Sequence, residues 1–320
     1  MKKIIIVTGD PNSINSEIIY KTWKKLSKNI RKKIYLISNL ELMKSQLKRL
    51  KLNLKLIQIE NINSITKTNK LKIINTNLKF NDPFNVKKKH RKEYVIRSLK
   101  LAHNLALNNN VIGIINCAID KRLISKRQLG VTEFLAKENK IKKDTEAMLI
   151  YNKKLAVSPI TTHINLKNVS KNICKNKIIN KVKTINTFYK KLLKKKPNIG
   201  ILGLNPHNAE LKNNSEEIKI ITPVIKKLRQ KDINIKGPLV SDTLFIDDYK
   251  NYDVIVGMYH DQVLAPFKTL FKFDAINITL GLKYLRVSPD HGTAINLIRK
   301  NKANPLSLIN CIKFLYLSQK

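Results

Sequence analysis

The sequence predicts an α/β protein built on a mainly parallel sheet with helices on both faces. Two observations carry this. Short runs of Ile, Val and Leu, uninterrupted by polar residues, read as strands buried on both faces. Longer stretches between them repeat apolar residues at helical spacing, and that alternation points to βαβ units.

Ile4-Ile-Ile-Val7 is the first buried strand, ended by the turn Gly9-Asp-Pro-Asn-Ser13. A helix opens at Ser16-Glu17, with Ser16 as its N-cap, and runs through Trp23 and Leu26. Lys33 to Ser38 is a second strand, and Leu40 to Leu50 a lysine-rich amphipathic helix. From Leu52 to Val86, short apolar runs mix with Asn, Lys and Pro, which predicts irregular strands and loops. Val95, Ile96, Leu99, Leu101, Ala102 and Leu105 recur at helical spacing, so His90 to Asn108 is a helix leading into the strand Val111 to Ile115. Met148 to Val157 reads as a pair of strand segments. Lys177 to Leu193 is a basic helix with an apolar stripe at Ile179, Val182, Ile185 and Tyr189, broken at Pro197. Ile199 to Gly203 restarts the strand pattern. Ser215-Glu-Glu217 then opens a helix through Arg229, the acids sitting where the helix dipole favours them. A polar loop around Gly237-Pro238 and Ser241-Asp-Thr243 precedes the strand Val254-Ile-Val256. His291 to Lys300 and Pro305 to Leu317 read as closing helices.

Lysine and arginine total 63 against 22 acids, a net charge of +41. Such an excess suggests a nucleic-acid or anionic-membrane partner. The lysines are scattered over every polar face, however, and no recognition module or basic–aromatic interleaving is present. Abundant Lys, Asn and Ile fit an A+T-rich coding sequence, so no nucleic-acid partner is expected, although the field favours anionic substrates. Three cysteines, too few and too dispersed for a disulfide framework or zinc ribbon, fit a reducing cytoplasm. The apolar start ends at Thr8-Gly9, short of a signal peptide, and no run approaches the ~20 residues of a membrane span.

Ligands bind at the carboxyl ends of strands in open α/β sheets. Three of the six histidines follow predicted strands: His163 in Thr161-Thr-His-Ile, His207 in Gly203-Leu-Asn-Pro-His, and His260 in Met258-Tyr-His-Asp-Gln. Three imidazoles meet the ligand count of a catalytic metal site with one open position, while each taken alone reads more readily as a hydrogen-bonded loop residue. Asp261, beside His260, is placed either to orient that ring or to accept a proton.

These blocks, with Gly237-Pro-Leu, Asp242-Thr-Leu-Phe, Asn277-Ile-Thr-Leu-Gly and Asp290-His-Gly-Thr-Ala, occur in the order and spacing of a known family. The chain resembles the 4-hydroxythreonine-4-phosphate dehydrogenases of vitamin B6 biosynthesis. The resemblance implies a fold like isocitrate and isopropylmalate dehydrogenases, a homodimer with a shared active site, and NAD as oxidant. It implies a divalent metal (Zn, Mg or Co) held by His163, His207 and His260, one of them from the partner subunit. It also implies that Thr132, Lys268, Asn277 and Arg286 contact a small phosphorylated hydroxy amino acid, with Lys268 and Arg286 on the phosphate. An active-site cleft is expected between a lobe of about residues 1–125 with 265–320 and a dimerising lobe of about 126–264. No cofactor-binding residues are assigned.

Some positions depart from the family pattern. Val131 stands where the family has His before Thr-Glu-Phe-Leu, and Asn12-Ser-Ile-Asn-Ser-Glu17 replaces its glycine-bearing N-terminal loop. Cys117-Ala-Ile-Asp-Lys121 and Val263 are further differences. Val131 leaves open a relative that oxidises a phosphothreonate or phosphoerythronate.

Overall fold

The computed structural model describes residues 2–63, 68–108, 110–124, 130–141 and 144–319. Backbone contacts divide the chain into two units, residues 1–139 with 282–320 and residues 140–281, where the sequence suggested soft boundaries near 125 and 264. The first unit contains β1 (Lys3–Val7), α1 (Asn15–Lys25), β2 (Ile34–Ser38), α2 (Leu40–Arg49) and β3 (Leu56–Ile59). It continues with β4 (Leu71–Asn75), α3 (Lys88–Ala106), β5 (Val111–Asn116) and α4 (Val131–Glu138). The second unit runs through β6 (Ala147–Tyr151), β7 (Ala156–Thr161), α5 (Lys175–Leu192), β8 (Ile199–Leu202), α6 (Thr222–Arg229) and β9 (Ile235–Leu239). β10 (Val254–Tyr259), α7 (His260–Phe271) and β11 (Ile276–Leu280) complete it. The chain then returns to the first unit with β12 (Leu285–Pro289) and α8 (Leu306–Leu317).

In the first unit the strands lie in the order β3-β4-β2-β1-β5-β12, each pair parallel. Both faces of β1 and β2 are buried, which is why they read as continuous apolar runs. α3 covers one face through Tyr94, Val95, Leu99 and Ala102, and α8 packs on β12, β5 and β1. In the second unit the order is β11-β6-β7-β10-β8-β9. β6 is antiparallel to both its neighbours, and β7, β10, β8 and β9 are parallel. α5 buries the stripe Ile179, Val182, Ile185 and Tyr189, as its spacing predicts. Among the described residues no helix is long and apolar enough to cross a membrane.

Four local expectations fail, each for a physical reason. At Gly237-Pro238, expected in a polar loop, the edge strand β9 pairs with β8, an edge being where a strand tolerates proline. Leu52 to Val86, expected to be irregular, contributes the regular strands β3 and β4, although residues 64–67 lie outside the described residues. The misleading residue there is Lys72. It is buried on β4 with its ammonium 4.1 Å from the centroid of the Tyr35 ring and donating to Lys32 O at 2.6 Å. Burial, helped by nearby Lys3, pushes its pKa down to about 8. Ser16 is not an N-cap: α1 begins at Asn15, and Ser16 Oγ is buried inside it. His291 to Lys300 is not a helix but a loop with one short turn at Ile295–Leu297. Positive φ at Ala294 (45°) and Arg299 (65°) is incompatible with a right-handed helix.

The N-terminal loop shows how Asn12-Ser-Ile-Asn-Ser-Glu17, with no glycine of its own, closes this turn. Gly9 remains (φ 76°), and a Cβ there would lie 2.5 Å from Ala118 O. Asn15 Nδ2 donates to Thr8 O and Ala118 O, both at 2.8 Å. The Asn12 side chain pairs with the backbone of Val86 through both its atoms. The fully buried Asp10 carboxylate takes a two-pronged contact from Arg91 at 2.9 and 2.6 Å. Side-chain amides do here what backbone freedom does elsewhere.

Candidate functional site

The strand ends of the second unit carry the histidines. β7 and β10 run parallel with Thr161 opposite Tyr259, and Thr161 Oγ1 donates to Met258 O at 2.7 Å. That register brings His163, just past β7, next to His260, the first residue of α7. Their ring centroids are 5.7 Å apart. Asp261 Oδ1 lies 2.6 Å from His260 Nδ1. A carboxylate accepting from Nδ1–H fixes the tautomer and leaves Nε2 as a lone-pair donor. Asp261 is itself exposed.

His207 follows β8 in a turn of unusual backbone. Residues 207–211 all have φ between 49° and 58°. Left-handed backbone costs non-glycine residues roughly 1–2 kcal/mol each, so outside contacts must hold this turn. Its Nε2 lies 3.6 Å from Asp242 Oδ2, both groups largely exposed. Among the described residues no group of three or more His, Cys, Asp or Glu side chains is arranged to hold a metal ion. The donor chemistry of His163 and His260 fits a divalent cation. Within one chain, however, the expected third donor does not join them.

Glu217 is the main surprise. The sequence suggested a helix-dipole acid, but its side chain is fully buried. Oε1 accepts from the N–H groups of Leu204 (2.7 Å) and Asn205 (2.9 Å), and Oε2 from Asn205 Nδ2 (3.0 Å). Burial pushes its carboxyl up, yet these amide donors outweigh that and leave it below its ordinary range. Glu216 also accepts from Asn205 Nδ2, at 2.9 Å, and from Ser170 Oγ.

Lys268 lies on α7 and Asn277 on β11. Asn277 Oδ1 is buried and lacks a hydrogen-bond partner among the described residues.

The first unit holds the other two expected contacts, and the structure brings them together. Arg286 on β12 is 3% exposed; its Nε donates to Asn116 Oδ1 at 2.7 Å and its Nη1 to Thr132 Oγ1 at 3.4 Å. Burial pushes its pKa down to about 10, so it remains charged at neutral pH. Thr132 sits in the first turn of α4, where Glu133 Oε2 reaches back to accept from the N-cap Gly130 N–H at 2.9 Å. Val131 opens the same helix and is half-buried against the core. Sequence reasoning missed Asn116, although a polar residue closing the run Val111 to Ile115 is the same strand-end signal that singled out the histidines. Below this cluster, Tyr284 OH meets His103 Nδ1 at 2.9 Å and Asn139 Nδ2 at 3.1 Å, so His103 is a satisfied core residue. Burial holds His103 and His291 below the usual histidine range.

A family model described as pyridoxal phosphate biosynthetic protein PdxA matches residues 30–315. The 4-hydroxythreonine-4-phosphate dehydrogenase of Sulfurihydrogenibium sp. (strain YO3AOP1) is 39% identical, covering 100% of this chain and 99% of its own length. The D-threonate 4-phosphate dehydrogenase of Pectobacterium atrosepticum is 35% identical over 66% of each chain. Among solved structures, the 4-hydroxythreonine-4-phosphate dehydrogenase from Klebsiella pneumoniae superimposes with a TM-score of 0.85 at 28% identity, covering 100% of this chain and 98% of that one. The fold alone is shared with isocitrate dehydrogenase from Methylococcus capsulatus (TM-score 0.50, 10% identity, 100% of this chain and 88% of that one).

Proposed function

Because this chain belongs to the PdxA family of pyridoxal phosphate biosynthetic proteins, we propose that it is a metal- and NAD-dependent 4-hydroxythreonine-4-phosphate dehydrogenase. It oxidises 4-phosphooxy-L-threonine to 2-amino-3-oxo-4-phosphooxybutanoate, which loses carbon dioxide to give 3-amino-2-oxopropyl phosphate for vitamin B6 synthesis. The reading carries with it a cytoplasmic homodimer with a shared active site.

The observation that supports it most is the meeting of His163 and His260 at paired strand ends, with Asp261 fixing the His260 ring. The metal ligands are His163, His207 and His260, the set being completed across the dimer. When bound, a divalent ion supplies Lewis acidity toward the substrate alcohol and NAD supplies the electron-pair acceptor. Asp261 serves chiefly to orient His260, since its short contact is to Nδ1. Arg286 and Lys268 bind the phosphate by charge-assisted hydrogen bonds. Thr132 places its hydroxyl beside Arg286, and Asn277 Oδ1, without a partner among the described residues, is an acceptor suited to the substrate ammonium.

The test is NADH formation from substrate, NAD and each candidate metal; no signal with any metal refutes the proposal. His207→Ala should lose both turnover and retained metal, and an active, metal-retaining variant removes His207 from the set. A second reading rests on Val131 and on the D-threonate 4-phosphate relative: a dehydrogenase of a phosphorylated hydroxy acid lacking the amine. A faster reaction with phosphothreonate than with 4-phosphooxy-threonine would select it.

A further inference from the structure

Two side chains that no expected role accounts for tie the His207 loop to the His260 turn. Gln262 stands two residues past His260, 8% exposed. Its Oε1 accepts from Met258 N–H at 2.7 Å and its Nε2 donates to Gly203 O at 2.8 Å. One amide therefore spans from the end of β10 to the end of β8. From the other side, Glu217 grips the next two backbone N–H groups, Leu204 and Asn205. Gly203 between them is a forced glycine: an added Cβ would lie 2.1 Å from Asn208 Oδ1 and 3.0 Å from Glu217 Oε1. Asn208 Nδ2 donates to Pro238 O at 3.0 Å and anchors the far side of His207.

We propose that Glu217 and Gln262 are positioning residues, a brace that sets the His207 loop in register with the His260 turn so that both imidazoles are presented to metal. This rests on the histidines being ligands, as proposed above. The chemistry requires both groups. The backbone hydrogen bonds of the left-handed turn at 207–211, such as Asn208 N–H to Asn205 O and Lys212 N–H to Ala209 O, are local and do not locate it against β10. Two backbone N–H groups leaving β8 need one acceptor that can serve both, which a buried carboxylate does. The Gly203 carbonyl needs a donor that is also fixed to β10, which the Gln262 amide supplies by donating through Nε2 and accepting through Oε1.

The experiment measures the Co²⁺ and Zn²⁺ dissociation constants of the full-length wild type, Gln262→Met, Glu217→Gln and His207→Ala, by chelator competition well below each melting transition. Gln262→Met keeps the shape and removes both hydrogen bonds. Glu217→Gln turns one acceptor oxygen into a donor facing donors. Each should remain folded by circular dichroism and weaken metal binding about 10–100-fold, the range for groups that orient metal ligands. Wild-type affinity in folded Gln262→Met, with His207→Ala impaired, overturns the brace while leaving the ligand assignment standing. Should Gln262→Met fail to fold, the same outcome in Glu217→Gln decides. Undiminished metal binding by His207→Ala refutes the ligand assignment and the brace with it.

Discussion

Asn116 offers the sharpest probe of the proposed phosphate site, because two replacements separate holding Arg286 from leaving its charge available. Asn116 is 3% exposed at the end of β5 and accepts the Arg286 Nε–H at 2.7 Å. Replacing it by Ala strips an acceptor from a buried, charged donor. Hydrogen bonds to charged groups contribute roughly 1.5–3 kcal/mol. In a unit of this size each kcal/mol moves the melting temperature about 2–4 °C, so Asn116→Ala should melt roughly 3–12 °C lower. Asn116→Asp keeps the oxygen in place but adds a full negative charge against the guanidinium. Stability should fall less than in the Ala variant. The guanidinium, now partly neutralised, then attracts a phosphate dianion less. Loss of one such charge-assisted contact corresponds to about a 10–100-fold rise in KM for the phosphorylated substrate. Differential scanning calorimetry and steady-state NADH formation read the two quantities. A wild-type KM in Asn116→Asp would refute Arg286 as the phosphate anchor, and an unshifted melting point in Asn116→Ala would refute the energetic argument.

Val131→His restores the residue usual in the family beside Thr132; it should change the preference between 4-phosphooxy-threonine and phosphothreonate by about tenfold or more in kcat/KM. An unchanged ratio would show that Val131 does not set substrate choice. His103, buried against Tyr284, is held below its ordinary pKa by burial. The unfolded chain therefore takes up a proton at about pH 6.5 that the folded chain binds only at lower pH, so stability present above that value is lost as pH falls. His103→Gln should flatten the decline in melting temperature between neutral and mildly acid pH, and equal slopes would contradict the assignment.

What could be read from the sequence follows from where each signal resides. Strands such as Ile4 to Val7 and Val254 to Val256 announced themselves because parallel strands are buried on both faces. The family was legible because its blocks surround strand ends in a fixed order, and the match over residues 30–315 bears that out. Contacts made across the sheet were not legible. Nothing near Glu217 in the sequence shows that the backbone leaving β8 returns to its carboxylate, so it passed for a first-turn acid. The regularity of β4 was hidden because the burial of its Lys72 depends on Tyr35 of the neighbouring strand β2 and on Lys32 just before that strand. The helix expected at 291–300 failed because spacing carries no information about the left-handed backbone at Ala294 and Arg299.

The division of the chain also has a consequence for synthesis. Residues 140–281 form one contiguous unit, whereas the other unit is split around it and lacks β12 and α8 until residues 282–320 are made. Translation proceeds at about 5–20 residues per second and contiguous units fold as they emerge. The inner unit is therefore complete while the outer one still has β5 as an open edge, with β12 not yet paired beside it. Arg286 comes with that late strand. The first unit thus gains its buried cation only after the inner unit has been made, and a ribosome that stalls after Gly281 leaves an outer unit with an exposed strand and no Arg286.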